Sequence, residues 1–549
     1  MRFSRKLFLL GKIFFTKLLK IIDLVFRIDY IVGEKYVTLS NEENMRRNAA
    51  LSNDYFGREK ISKVLLKIAP PVMFSQLIQS LYNIVDSFFV GKFSNDALTA
   101  LSVIYPLQLV IIALAVGTGV GVNTYMASKY AHDKTEDAEY AAGTGTILAV
   151  VTWAIFALLS FFTMRPYVLT SASEEAAIEY AVTYGNIVCI GSLGSFLEGN
   201  FTKVHQAKGN MRRPMIAQVV GAVVNIVLDP VLIFGVGKIP SLGVAGAAIA
   251  TVIGQFSSAI IVCFGAIKKP PKIKRTFHYI KRIYFYGYSS ILMQLLYTVY
   301  IVALNVILKK FSDAAVTVLG LYYKLQSFFF IPLFGLQTCI VPVLSYNYSA
   351  ELYDRCKKIM NMTYLISSVF MIAGMICFIF FPIPMIKIFS SSEEVFAIGK
   401  IAFPIIGSGF ISAVFGLIMP TFFQAIGKGK ESAFLSLLRQ VFCLIPIFWA
   451  FSLLGLNYTW IAFPISETVS GVVGLIMYLL QIRKWKNTPV HPILRDASPE
   501  NATASQPETL PAATIGNQTE NLAETPQSDE KKPFLYGEKK NTIKINILK

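Results

Sequence analysis

Histidine is scarce in this chain: His132, His205, His278 and His491 all fall between apolar stretches or in the polar tail. A histidine-based catalytic or metal centre inside an apolar layer is therefore not expected. The six cysteines, Cys189, Cys263, Cys339, Cys356, Cys377 and Cys443, show no CxxC spacing and lie in or beside apolar stretches. They read as free packing residues, which excludes a disulfide framework and a thiolate zinc site. No nucleophile with a neighbouring base is evident either, so the chain is not read as an enzyme and no cofactor is expected. Charge is the third shortage, at 15% of residues against 54% hydrophobic. That balance lies far outside the range of soluble domains and defines an all-α polytopic membrane protein surrounded by lipids.

A spanning helix needs about 20 mostly apolar residues, and twelve stretches qualify: near 66–91, 98–127, 140–163, 178–203, 212–236, 241–266, 283–308, 315–345, 359–382, 396–425, 432–456 and 458–481. The formal charge of +18 raises the question of nucleic acid, but its placement answers it. Basic residues gather after even-numbered spans: Lys129 and Lys134; Lys203, Lys208, Arg212 and Arg213; the run from Lys268 to Arg282; Arg355, Lys357 and Lys358; Lys428 and Lys430. Such asymmetry orients a protein in the cell membrane and predicts that both termini are cytoplasmic; no nucleic-acid partner is expected.

The chain also contains itself twice. Sliding residues 76–130 onto 294–348 without a gap gives 14 identities, among them Phe93-Ser94 on Phe311-Ser312 and Leu107-Gln108 on Leu325-Gln326. The offset of 218 residues spans six helices, so the halves share one orientation and are related by an axis along the membrane normal. This organisation predicts a first lobe over 61–266, a basic cytoplasmic linker over 267–282 and a second lobe over 283–486. Residues 1–60 read as a basic amphipathic extension and linker, with an additional span as the alternative, and 487–549 as a disordered cytoplasmic tail.

Ionisable side chains within spans are costly and mark function. On the first span Gln76, Gln79, Asn83 and Asp86 are spaced by three, four and three, so they line one helical face, with Tyr82 beside them. Asn225 and Asp229 stand one turn apart on the fifth span. Asp86 and Asp229 fall at similar depth, where two carboxylates can share a proton or hold a cation; helix packing and an interfacial Asp229 before Pro230 are the alternatives. The repeat acts as an internal control: Asp86 becomes Leu304, Asn225 becomes Cys443 and Asp229 becomes Ile447, so the acidic site belongs to the first half alone. Lys324 and Glu467 fall at one depth in the second half and are expected to pair, as a structural bridge or a switch. Gly117, Gly119 and Gly121 on the second span point to close helix packing or local unwinding.

The runs from Tyr82 to Gly91, from Asn225 to Pro230 and from Gly246 to Thr251, with the Gln-Ala-x-Gly elements at Gln206 and Gln424, resemble the multidrug and toxic compound extrusion (MATE) transporters, in the branch of the bacterial multidrug exporters and DNA-damage-inducible transporters. The resemblance covers about residues 60–485. It implies two six-helix lobes working by alternating access, and export of cationic or amphiphilic compounds in exchange for protons or sodium ions, as a monomer. It also assigns cation coupling to Asp86, Asn225 and Asp229, adds Thr251 on the sixth span, and makes a second ion site doubtful because the seventh span has no acid. A flippase of lipid-linked precursors is the competing reading; it would need cationic cavity residues, and Lys324 and Arg439 are the main candidates within spans.

Overall fold

The computed structural model describes residues 55–169, 174–237, 240–387 and 392–486. The extension up to residue 54 and the tail from 487 lie outside these residues. The first half consists of α1 (Ile61–Phe93), α2 (Asn95–Tyr130), α3 (Thr135–Leu169), α4 (Glu175–Gly191), α5 (Leu193–Ala207), α6 (Arg212–Phe234) and α7 (Gly243–Cys263). The second contains α8 (Ile273–Leu308), α9 (Asp313–Phe329), α10 (Ile331–Ser349), α11 (Tyr353–Phe380), α12 (Pro382–Lys387), α13 (Glu393–Ser408) and α14 (Phe410–Ala425). It continues through α15 (Gly429–Leu437), a π-helical segment (Leu438–Leu444), α16 (Ile445–Ser452), α17 (Leu456–Thr459) and α18 (Ala462–Lys486).

Among the described residues nine helical stretches are long and apolar enough to cross a membrane, and three bent pairs bring the number to twelve. The pairs α4/α5, α9/α10 and α13/α14 bend by 42°, 57° and 53°. The fourth and tenth spans break at the same place in the repeat, around Ser192 and Gly409. The eighth breaks before Pro332, which has no N–H to continue the helical ladder and crowds the carbonyl one turn back. Its counterpart in α2 is Leu114, and α2 runs through without a break. The repeated Phe-Ser dipeptide also has a structural reason. Ser94 accepts from the Asp96 N–H at 3.1 Å and Ser312 from the Ala315 N–H at 3.2 Å, each capping the start of the following helix.

Buried apolar side chains form two bodies. One is confined to the first half and includes Val90, Ala97, Ile104, Tyr184, Phe196, Ile233 and Val244. The other runs from the opposite ends of those helices, through Val64, Ile68, Val122, Tyr125 and Val204, into the second half. The halves are therefore joined by apolar packing at the end that carries the basic loops, termed the inner end. Polar bonds reinforce the joint: Ser345 Oγ donates to the Thr124 carbonyl at 2.8 Å, and the Ser349 and Ser128 hydroxyls meet at 2.8 Å. Arg355 Nη2 donates to the carbonyls of Phe56 and Glu59 at 3.0 and 2.7 Å, and Asn347 Nδ2 to that of Phe56 at 3.0 Å. The chain just before α1 is thus clasped by the second half.

The inner basic residues are not all loop residues. Lys203 lies within α5, is buried, and donates through Nζ to Gln206 Oε1 at 2.9 Å. His205, read as a loop residue, is likewise buried in α5 with Nε2 3.0 Å from the Val262 carbonyl. All six cysteines are free, and Cys263 and Cys377 are only half-buried.

Candidate functional site

The site is built where α1 and α6 pack along each other, with α7 folded back on α6. The return is fixed by the Leu242 N–H donating to the Leu232 carbonyl at 2.9 Å and by Ser241 Oγ donating to the Ile233 carbonyl at 2.7 Å. One helical turn separates Asn225 from Asp229, so their side chains stack on one face of α6. Asn225 Nδ2 donates to Asp229 Oδ1 at 3.3 Å and to Thr251 Oγ1 of α7 at 3.4 Å. Asp86 arrives from α1, and its carboxyl and that of Asp229 face each other within reach of a shared proton.

Asp229 is 0% exposed and Asp86 9%, so neither can be read as an interfacial residue. Pro230 does not end the helix, since α6 continues to Phe234. Asp86 Oδ1, Asp229 Oδ2 and Asn225 Oδ1 have no hydrogen-bond donor among the described residues. Neither carboxyl is held by a described lysine or arginine in an ion pair. Buried acceptors without donors cost free energy until a proton or a cation satisfies them. Four oxygen-bearing side chains (Asp86, Asp229, Asn225, Thr251) supply a hard, oxygen-only donor set, the chemistry suited to a proton or an alkali cation. No cluster of three or more His, Cys, Asp and Glu residues occurs among the described residues.

The structure adds two residues that sequence reasoning missed. Tyr184 of α4 is buried beside Thr251, and Gln108 Nε2 of α2 donates to its hydroxyl at 3.2 Å. Gln108 had one signal, its place in the repeated Leu-Gln dipeptide; a tyrosine in an apolar run had none. From the polar seam, Tyr82 lies beside both carboxyls, and Gln76 and Gln79 are half-buried one to three turns further in. The side chain of Asn83 lies outside the described residues.

The expected pair of Lys324 and Glu467 is not formed. Lys324 is exposed, whereas Arg439 Nη1 donates to Glu467 Oε1 at 2.6 Å. Equal depth does not fix the direction in which a side chain leaves its helix: each residue turns about 100° around the axis. On α9 the inward direction is taken by Tyr322 and Tyr323, so Lys324 points away.

Twelve spans in two tandem six-span halves, with a facing pair of buried carboxyls in the first, fit a multi-pass membrane transporter. The chain belongs to the MatE family: the family model matches residues 71–231 and again 289–449, two copies displaced by the 218 residues of the internal repeat. Among curated relatives, the FAD transporter of Shewanella oneidensis is 23% identical, over 75% of this chain and 93% of its own length. Multidrug export protein MepA of Staphylococcus saprophyticus is 22% identical, over 78% and 96%. Probable multidrug resistance protein NorM of Thermotoga maritima is 24% identical, over 65% and 79%. Among solved structures, a MOP superfamily transporter from Pyrococcus furiosus superposes with a TM-score of 0.74 at 22% identity, covering 80% of this chain and 99% of that one. An outward-facing multidrug resistance MATE family transporter gives the same TM-score and identity, with 79% and 98% covered.

Proposed function

We propose that this protein is an antiporter of the cell membrane that exports cationic or amphiphilic small molecules in exchange for protons or sodium ions. The observation that carries the reading is the facing pair Asp86 and Asp229, buried, each with an acceptor oxygen that no described donor satisfies. Two carboxylates this close in a low-dielectric interior resist being charged together. Loading one proton or one alkali cation relieves the repulsion and draws α1 onto α6; releasing it loosens that contact. Because α1 also packs on the second half, through Ile68 and Met73 against Cys339 and Gly335, loading is felt at the joint between the halves. A coupling ion and a substrate that favour opposite states of this joint exchange across the membrane.

The substrate class is supported by the relatives named as multidrug exporters and by the tyrosines lining the interior, Tyr82, Tyr105, Tyr297 and Tyr323, which suit flat amphiphilic cations. The flippase reading is weaker, because Lys203 is engaged by Gln206 and Arg439 already has a counter-charge in Glu467, so neither offers an uncompensated positive charge to a lipid diphosphate. The test is ethidium efflux from proteoliposomes with proton and sodium gradients imposed separately, on wild type, Asp86→Asn and Asp229→Asn. Gradient-driven efflux in the wild type and its loss in both variants is the expected result; full activity in both variants refutes the coupling role.

A further inference from the structure

The second half keeps the frame of the acidic site and changes its charge. At the repeat offset Tyr82 corresponds to Tyr300, Tyr105 to Tyr323 and Gln108 to Gln326. Where the first half brings Asn225 of its fifth span to Thr251 of its sixth, the second brings Arg439 of its eleventh to Glu467 of its twelfth. Arg439 lies one turn inward of the position equivalent to Asn225, and Glu467 two residues from that equivalent to Thr251. Both charged side chains are largely buried, 12% and 14% exposed. The segment that carries Arg439, Leu438–Leu444, is π-helical, whereas the corresponding stretch of the first half is ordinary α-helix within α6. π-Helical turns widen the helix and recur at functional sites.

The pair is also incompletely satisfied. A guanidinium has five N–H donors in a planar fork that fits a carboxylate or phosphate two-pronged. Here a single N–H reaches a single Glu467 oxygen, and no other hydrogen bond joins the Arg439 side chain to a described residue. Glu467 Oε2 has no donor among the described residues. Tyr297 and Tyr300 lie beside the pair and pack with Tyr323, ring centroids 5.4 to 6.5 Å apart, and Tyr297 lies near Tyr105 of the first half, which is 51% exposed. Space for Glu467 is reserved by Gly416, whose Cβ would stand 2.7 Å from Oε2. A purely structural ion pair would use the fork and leave no acceptor over; this one has spare donors, a spare acceptor and an aromatic wall continuing toward the other half.

We propose that Arg439 and Glu467 form a second substrate subsite, which takes the carboxylate or phosphate group of a zwitterionic amphiphile on the free donors of Arg439, with Glu467 Oε2 receiving a donor of the same molecule. The tyrosines take its apolar body. This inference rests on the transporter reading and narrows its substrate class from simple cations to molecules that also carry an anion.

Two dyes of one scaffold test it: tetramethylrhodamine, whose carboxylate is free, and its methyl ester. Dissociation constants are measured by fluorescence anisotropy with the full chain in lipid nanodiscs. Arg439→Lys keeps the charge and removes the fork; it is expected to weaken the free acid by about tenfold relative to the ester, the loss of one charge-assisted hydrogen bond. Glu467→Gln withdraws the competing carboxylate and is expected to shift the ratio toward the acid. With the wild type alone, 4-nitrophenyl phosphate is expected to displace the acid and spare the ester, a readout that needs no variant to fold. An unchanged ratio in the variants, equal loss of both dyes, or equal displacement of both by the phosphate overturns the subsite and assigns the pair a packing role. Failure of the antiport reading is separate: it appears as no efflux of the ester under any gradient, whereas failure of the subsite leaves that efflux intact.

Discussion

A Cβ placed on Gly287 would stand 3.2 Å from the Cα of Gly121, so α8 and α2 cross backbone to backbone where the two halves meet. The glycines of α2 are there for packing, and Gly117 belongs to the same crossing, 2.9 Å from the Ile291 backbone once given a Cβ. Gly121→Ala would drive its methyl into the Ile283 carbonyl oxygen, where the backbone cannot yield without moving a helix. Overpacking of this kind costs about 1–3 kcal/mol. The variant is expected to unfold several degrees below wild type in a detergent thermal ramp followed by tryptophan fluorescence; an unchanged midpoint would mean that the halves do not close this tightly.

Neutralising one member of the acidic pair is expected to leave the fold intact. Asp229→Asn removes the like-charge contact with Asp86 and keeps an oxygen facing Asn225, so its thermal midpoint should equal or exceed wild type. Asp229→Leu deprives Asn225 of one of its two acceptors, leaving Thr251 alone, and should lower the midpoint, by roughly 1–3 kcal/mol of stability. The reverse order of the two variants would show that the carboxylate is held by a favourable partner.

Breaking the buried pair of the second half from one side is expected to be costly, about 3–5 kcal/mol for Glu467→Ala, because Arg439 is left buried without a counter-charge. The double substitution Arg439→Met with Glu467→Leu should recover much of that loss. Thermal midpoints of the single and double variants close the cycle; additive losses would show that the two side chains do not interact.

Arg355→Ala removes the bonds to the Phe56 and Glu59 carbonyls and to Asn347 Oδ1. Backbone amides of residues 56–62 should then exchange with deuterium at least several-fold faster, with little change in α6 or α7. Uniformly faster exchange across the chain would instead mark a general loss of stability.

The acidic site was legible because helical periodicity carries it: one-turn spacing puts Asn225 and Asp229 on one face, and the missing counterparts in the second half single them out. The apolar stretches likewise foretold twelve spans, and the repeat their division into two halves. What the sequence could not show is direction around each helix axis and the bends along it. Lys324 and Glu467, read at one depth, do not pair, and Arg439, from the π-helical segment, takes the place given to Lys324. Lys203 looked like an inner-loop cation but is drawn into α5, where its charged end finds Gln206. Tyr184 contributes through a single hydroxyl at the end of an apolar ring, and nothing in residue order distinguishes such a tyrosine from a packing one.

The clasp around residues 56–59 makes α1 a member of two mechanical bodies. The chain leading into it is tied by Arg355 and Asn347 and the inner part of the helix lies on α10, while its far end, with Asp86, lies on α6. Between them stand Pro70 and Pro71, where two rungs of the helical ladder are missing. If the halves swing as an exchange mechanism requires, the ends of this one helix are carried in different directions, and the natural place to absorb the difference is that proline pair. On the exchange proposed above, the first helix would work as a lever with its fulcrum at Pro70-Pro71, an ion at Asp86 pulling on the long arm while the second half holds the short one.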